Sequence, residues 1–216
     1  MGLTIKLQKC SICDKILMFG NEQTCTHEGI KMKAEYIKTL GTWRDVADDA
    51  NETIGREPGT KEPPSTWKKR ILLSEHSPIR SISFKIRIKN LLSWVSVHLV
   101  RHWLGITHFV KTQRTDRTGN DRNQLKQSEM VNHRITVNAQ ALINISRKRL
   151  CSDASIDTRE AWQAVLNTLK DKEPEIYECC VPECIYRGFC VSFTPCGYSN
   201  TEQFKTRLNN YRKIGK

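Results

Sequence analysis

Residues 76–114 read HSPIRSISFKIRIKNLLSWVSVHLVRHWLGITHFVKTQR, and the change of apolar period within them decides the fold. Ile82, Phe84, Ile86 and Ile88 alternate with Ser81, Ser83, Lys85 and Arg87, the period of a strand with one face in a core. From Asn90 onward Leu91, Leu92, Val95, Leu99 and Val100 recur at helical spacing. This predicts a helix carrying Arg101 and His102 at its C-terminal end, with Gly105 as the stop and a second strand beyond it. Cations at a helix C-terminus are favoured by the helix dipole and can still reach a bound anion.

Upstream, Gly29 to Leu40 is compatible with either helix or strand. Trp43, Val46, Ala47, Ala50 and Ile54 have helical spacing before Gly55, Arg56 to Pro64 reads as a loop, and Ser65 or Thr66 can cap a helix running to Leu73. Downstream, Ile135, Ala139, Leu142, Ile143 and Ile145 form the buried side of a further helix. Straight helical geometry turns Asn138 and Asn144 to different sides unless the chain bends. Asp157 to Lys170 reads as a helix capped by Ser155 or Asp157 and ended by Pro174, and Thr201 to Lys216 as a short basic amphipathic helix.

The chain of 216 residues carries a net charge of +12, enough for one domain with a normal core and a preference for anionic partners. That charge suits nucleotides, flavin diphosphates and nucleic acid alike. No window suggests a membrane span and the start MGLTIKLQK lacks a signal-peptide core, so a cytoplasmic protein is expected. Nine cysteines are many for a reducing compartment, and the odd number argues against a complete disulfide framework. Cys10 and Cys13 face Cys25 and His27 across a turn containing Gly20 and Asn21, a set of four ligands for one structural zinc ion. Residues 1–30 are thus expected to form a Cys-rich addition to a main domain spanning 31–216. Farther on, Cys184, Cys190 and Cys196 are spaced evenly and can join Cys179 or Cys180 around a second metal or remain buried thiols.

The order His76, strand, helix ending in Arg101-His102, then a hydroxyl and an arginine at Thr112 and Arg114 resembles the flavin-dependent thymidylate synthases, the ThyX family. The resemblance returns at Asn138, Asn144 and Arg149 and covers roughly His76 to Pro174. Trp103 stands where the family's Arg-His-Arg signature has its second arginine, and Ser81 and Ile82 stand where it has a Glu-His pair. The stretch from Thr115 to Asp121 is shorter than its family counterpart.

The resemblance implies an α/β (α+β) fold with a twisted, mostly antiparallel sheet flanked by long helices. It implies a homotetramer whose sites draw on several subunits, and reductive methylation of dUMP with methylenetetrahydrofolate, NADPH and FAD. In that scheme His76, Arg101, Asn138 and Asn144 hold the flavin, and Thr112, Arg114, Arg122 and Arg149 hold the nucleotide. Thr112 orients the uracil, and Arg149 neutralises phosphate and polarises the base. Two other readings stand beside it: the same scaffold acting on another pyrimidine nucleotide, and a non-catalytic zinc- or nucleic-acid-binding protein.

Overall fold

The structure, a computed structural model, describes residues 8–9, 16–17 and 31–215. The expected zinc ligands Cys10, Cys13, Cys25 and His27 lie outside the described residues. Near the N-terminus the strands β1 (Gln8–Lys9) and β2 (Ile16–Leu17) pair antiparallel.

The main sheet has four antiparallel strands, β3 (Lys33–Leu40), β4 (Ser83–Leu92), β5 (Ile106–Val110) and β6 (Met130–Asn138), in the order β3-β4-β6-β5. Phe84, Ile86 and Ile88 lie opposite Val137, Ile135 and His133, and all six are buried. The alternate positions Lys85, Arg87 and Arg134 lie on the other, polar face, as a strand's two-residue period requires. The segment Gly29 to Leu40, open between helix and strand, supplies the edge strand β3.

Seven of the helices matter for the core or the site. They are α1 (Trp43–Glu52), α2 (Ser65–Ser74), α3 (Ser93–Val100), α5 (Ala139–Arg149), α6 (Ile156–Asn167), α7 (Pro174–Cys179) and α9 (Glu202–Lys213), with the short α4 (Thr115–Thr118) and α8 (Glu183–Arg187) between them. They pack their apolar stripes on the buried face of the sheet, so that Val46, Leu72, Leu99, Leu142, Trp162, Leu166 and Ile176 join one core with the strands. A second, small cluster of Val181, Ile185, Phe204 and Leu208 holds α8 against α9.

Four local expectations are corrected. Leu91 and Leu92 belong to β4 and not to the helix: Asn90 takes a left-handed φ of 54° at a break in register, and helix begins only at Ser93. Ser65 is the first helical residue behind Pro64, with no side-chain cap. Pro174 opens α7 where it was expected to close a run, since proline lacks only an N–H that the first turn leaves unpaired. Residues 135–138 are strand, and the chain bends at Asn138, which caps α5 through a hydrogen bond from the Ala141 amide to Oδ1 at 2.8 Å.

Candidate functional site

The end of α3 lies against the end of α5, and this places Arg149 at the centre of a polar cluster. Arg149 donates from Nε to His102 Nε2 at 2.8 Å and from Nη2 to the His98 carbonyl at 2.7 Å. A guanidinium on the last carbonyls of a helix is favoured by the dipole. Its third nitrogen, Nη1, has no hydrogen-bond partner among the described residues. Arg101, the exposed C-cap of α3, is close enough to lower the pKa of Arg149, after burial, the larger cause. Two guanidinium groups that repel one another, with no acidic side chain bonded to either, form a natural seat for an anion.

Behind Arg149 runs a chain of histidines. His108 Nε2 lies 2.7 Å from the His102 carbonyl, His108 Nδ1 lies 2.9 Å from His133 Nε2, and His133 Nδ1 lies 3.1 Å from Ser96 Oγ. Only an N–H can face a carbonyl, so His108 donates from Nε2. With both rings neutral, His133 then donates from Nε2 to His108, and Ser96 donates to His133. Because Arg149 donates to His102 Nε2, that ring carries its proton on Nδ1.

Burial, and then the charge of His108, pushes His133 down to about 4. Burial, followed by Arg149 and His108, does the same to His102. Unfolded histidine binds its proton below about pH 6.5 while these two stay neutral, so the stability they contribute is present above that pH and is lost as pH falls toward 4. For fully buried His133 the loss is on the order of 3 kcal/mol. Urea unfolding should show a lower midpoint at about pH 4.5 than at about pH 7.5, with a smaller drop in His133→Asn. Equal acid sensitivity in the two proteins would contradict the buried neutral ring.

The expected flavin residues fall in two places. Asn138 lies under the turn that leads from α3 into β5. Gly105 there has a φ of 71°, and a Cβ on it would come within 2.7 Å of Asn138 Oδ1, so the turn accepts only glycine. Asn144, six residues along, lies on the exposed side of α5, where its Oδ1 accepts from Gln140 Nε2 at 3.3 Å and Arg147 Nη1 at 3.2 Å. His76 is exposed beside that face: its neighbour Glu75 accepts from Gln140 Nε2 at 2.6 Å and from Arg147. Arg147 also stacks on Tyr186.

The expected nucleotide residues are less gathered. Arg149 lies at the polar cluster, whereas Thr112, Arg114 and Arg122 lie on the exposed segment that follows β5. Thr112 Oγ1 accepts from the Arg114 amide at 3.2 Å, and Arg114 forks onto Asp116 at 2.9 and 2.7 Å. The Arg122 amide donates to Thr115 Oγ1 at 3.1 Å. Two clefts, of about 300 and 340 Å³, lie elsewhere, each lined by Gln163 of α6 and Arg207 of α9.

Sequence reasoning missed Ser96, His98, His108 and His133. A signal was present, since His108 and His133 occupy core-side positions in alternating strands, where a polar ring must find a partner.

The class these elements define is the ThyX-like fold: an α/β architecture with a four-stranded antiparallel sheet. The chain is similar to the flavin-dependent thymidylate synthase ThyX of Helicobacter pylori complexed with FAD and dUMP. The TM-score is 0.56 at 13% identity, covering 69% of this chain and 99% of that one. A second structure of the Helicobacter pylori enzyme with FAD and dUMP gives 0.56 at 14%, covering 70% and 99%. The UMP/dUMP methylase PolB of Streptomyces cacaoi, bound with 5-Br dUMP, gives 0.55 at 13%, covering 74% and 96%. No protein-family model matches the sequence, and no curated protein matches it. No helix among the described residues is long and apolar enough to cross a membrane.

Proposed function

We propose that this chain is a ThyX-fold nucleotide methylase that converts dUMP to dTMP, with FAD as cofactor and methylenetetrahydrofolate and NADPH as co-substrates. The observation that carries the reading is the pair Arg101 and Arg149, cations held together at one helix end without an acidic partner, on a fold whose solved examples hold pyrimidine nucleotides.

The residues present fit a flavin dinucleotide. Arg101 offers an unpaired charge to a diphosphate, Asn144 and Asn138 offer amide donors, and His76 is exposed beside Asn144's face of α5. FAD, when bound, supplies the hydride chemistry. The chain's own work is placement and charge. Arg149, held by His102 and the His98 carbonyl, presents Nη1 to the nucleotide's phosphate or uracil oxygen, and Thr112 orients the base. Arg114 and Arg122 complete the phosphate contacts, Arg114 exchanging Asp116 for substrate.

Arg149 and the Thr112 segment lie apart on one chain, which agrees with a site assembled from several subunits of a homotetramer. The exposed apolar side chains Val97, Val100, Trp103, Leu104, Phe109 and Val110 on α3, the turn after it and edge strand β5 provide the surface for such contacts. A second reading keeps the scaffold and changes the pyrimidine. Trp103, 74% exposed, stands where the family signature has a cationic side chain and remodels what enters the site.

Gel filtration after incubation with FAD tests the proposal. Retained flavin absorption on a species of about four chains is expected. Colourless protein that also fails to bind dUMP would overturn it.

A further inference from the structure

All six described cysteines are free thiols, and they divide into two groups. Cys179 and Cys180 are buried in the main core, where burial drives both thiols upward, Cys180 to about 12. They are structural and do not join the tail cysteines, contrary to the grouping the sequence suggested.

The partner the tail cysteines find is Cys151, in the turn that closes α5. Cys184 sits on α8, which packs against α5. After it Gly188, with a φ of 85°, reverses the chain into the loop bearing Cys190 and Cys196, and Gly197, with a φ of 82°, turns it out again. That loop is tied back to the Cys151 turn by Ser192 Oγ, which donates to Asp153 Oδ1 at 2.8 Å. Cys184 feels the charges of Cys151, Cys190 and Cys196, and Cys151 those of Cys190 and Cys196, so the four thiols are electrostatic neighbours.

The lobe that carries them needs a staple. Its own core is four buried side chains, and Phe189, Val191 and Phe193 of the loop stand exposed with no core to enter. We propose that Cys151, Cys184, Cys190 and Cys196 form a structural zinc site that clamps the C-terminal lobe to the end of α5.

Four thiols give up four protons and one Zn²⁺ takes their place, leaving a tetrahedral tetrathiolate of net charge −2. Arg159 lies within electrostatic reach of both Cys151 and Cys196 and offsets part of that charge. No three such side chains among the described residues are arranged around an ion as they stand. Closure requires the loop between Gly188 and Gly197 to draw inward, and two left-handed glycines and one side-chain tether leave it free to do so. The site makes four protein ligands and has no position for water, so its role is to hold the lobe and not to catalyse.

The test uses the full chain carrying Cys10→Ser and Cys13→Ser, which removes the separate N-terminal candidate. Zinc content is measured, and alkylation of each cysteine is mapped by mass spectrometry with and without added Zn²⁺. About one zinc per chain, protecting Cys151, Cys184, Cys190 and Cys196 together, is expected. Co²⁺ should give sulfur-to-cobalt charge-transfer absorption, lost on adding Cys190→Ser and Cys196→Ser. Unprotected thiols at saturating Zn²⁺, or a disulfide among the four in freshly purified protein, would overturn the proposal. FAD retention is unaffected by its failure, so the two readings fall separately.

Discussion

Replacing Arg149 with alanine is expected to weaken dUMP binding by about 100-fold or more, the loss of a partly buried charge-assisted contact to an anion. The side chain is pre-set by its bonds to His102 and the His98 carbonyl, so binding does not have to order it. Arg149→Lys keeps a charge and loses the fork, and should fall between wild type and alanine. Calorimetric titration with dUMP measures the effect, and a melting curve on the same samples separates binding from folding. Unchanged affinity in a folded Arg149→Ala protein would refute the assignment.

Trp162→Ala carries the largest expected effect on stability. The ring is fully buried where α6 crosses α5, and its Nε1 donates to Ser146 Oγ at 2.9 Å, while Ser146 donates in turn to the Leu142 carbonyl at 2.7 Å. Truncation removes a large apolar volume and leaves a cavity, a loss of about 3–5 kcal/mol and a fall in Tm of roughly 10 °C. Trp162→Phe fills most of the space and costs only the hydrogen bond, about 1 kcal/mol. Equal melting temperatures for the two variants would show that packing at this point is not what holds α6 to α5.

The sheet was legible because its central strands obey a strict two-residue period: Phe84, Ile86 and Ile88 are core residues as expected. Helices α1, α6 and α9 were legible for the corresponding reason, with Trp43, Trp162 and Phe204 on their buried sides. Boundaries failed where backbone conformation outweighs side-chain pattern. Asn90 adopts a left-handed φ that no periodicity announces, and Asn138 ends a strand and caps a helix in one residue.

At the site, Arg101 and Arg149 were named from a resemblance, and folding puts them side by side. The histidine chain behind them was invisible, because His102, His108 and His133 come from three separate segments and acquire meaning only when β5 pairs with β6. Cys151 was likewise passed over, as its relation to Cys190 and Cys196 depends on a tether between Asp153 and Ser192. Spacing along the chain reports neighbours on one element. It does not report the ends of two helices meeting.

The most direct test of the central claim is release of the uracil C5 hydrogen as tritium from labelled dUMP, with FAD, NADPH and methylenetetrahydrofolate present. Release that requires all three and disappears in Arg149→Ala is the predicted result. No release from dUMP or UMP by folded, flavin-loaded protein would contradict a nucleotide methylase on this scaffold.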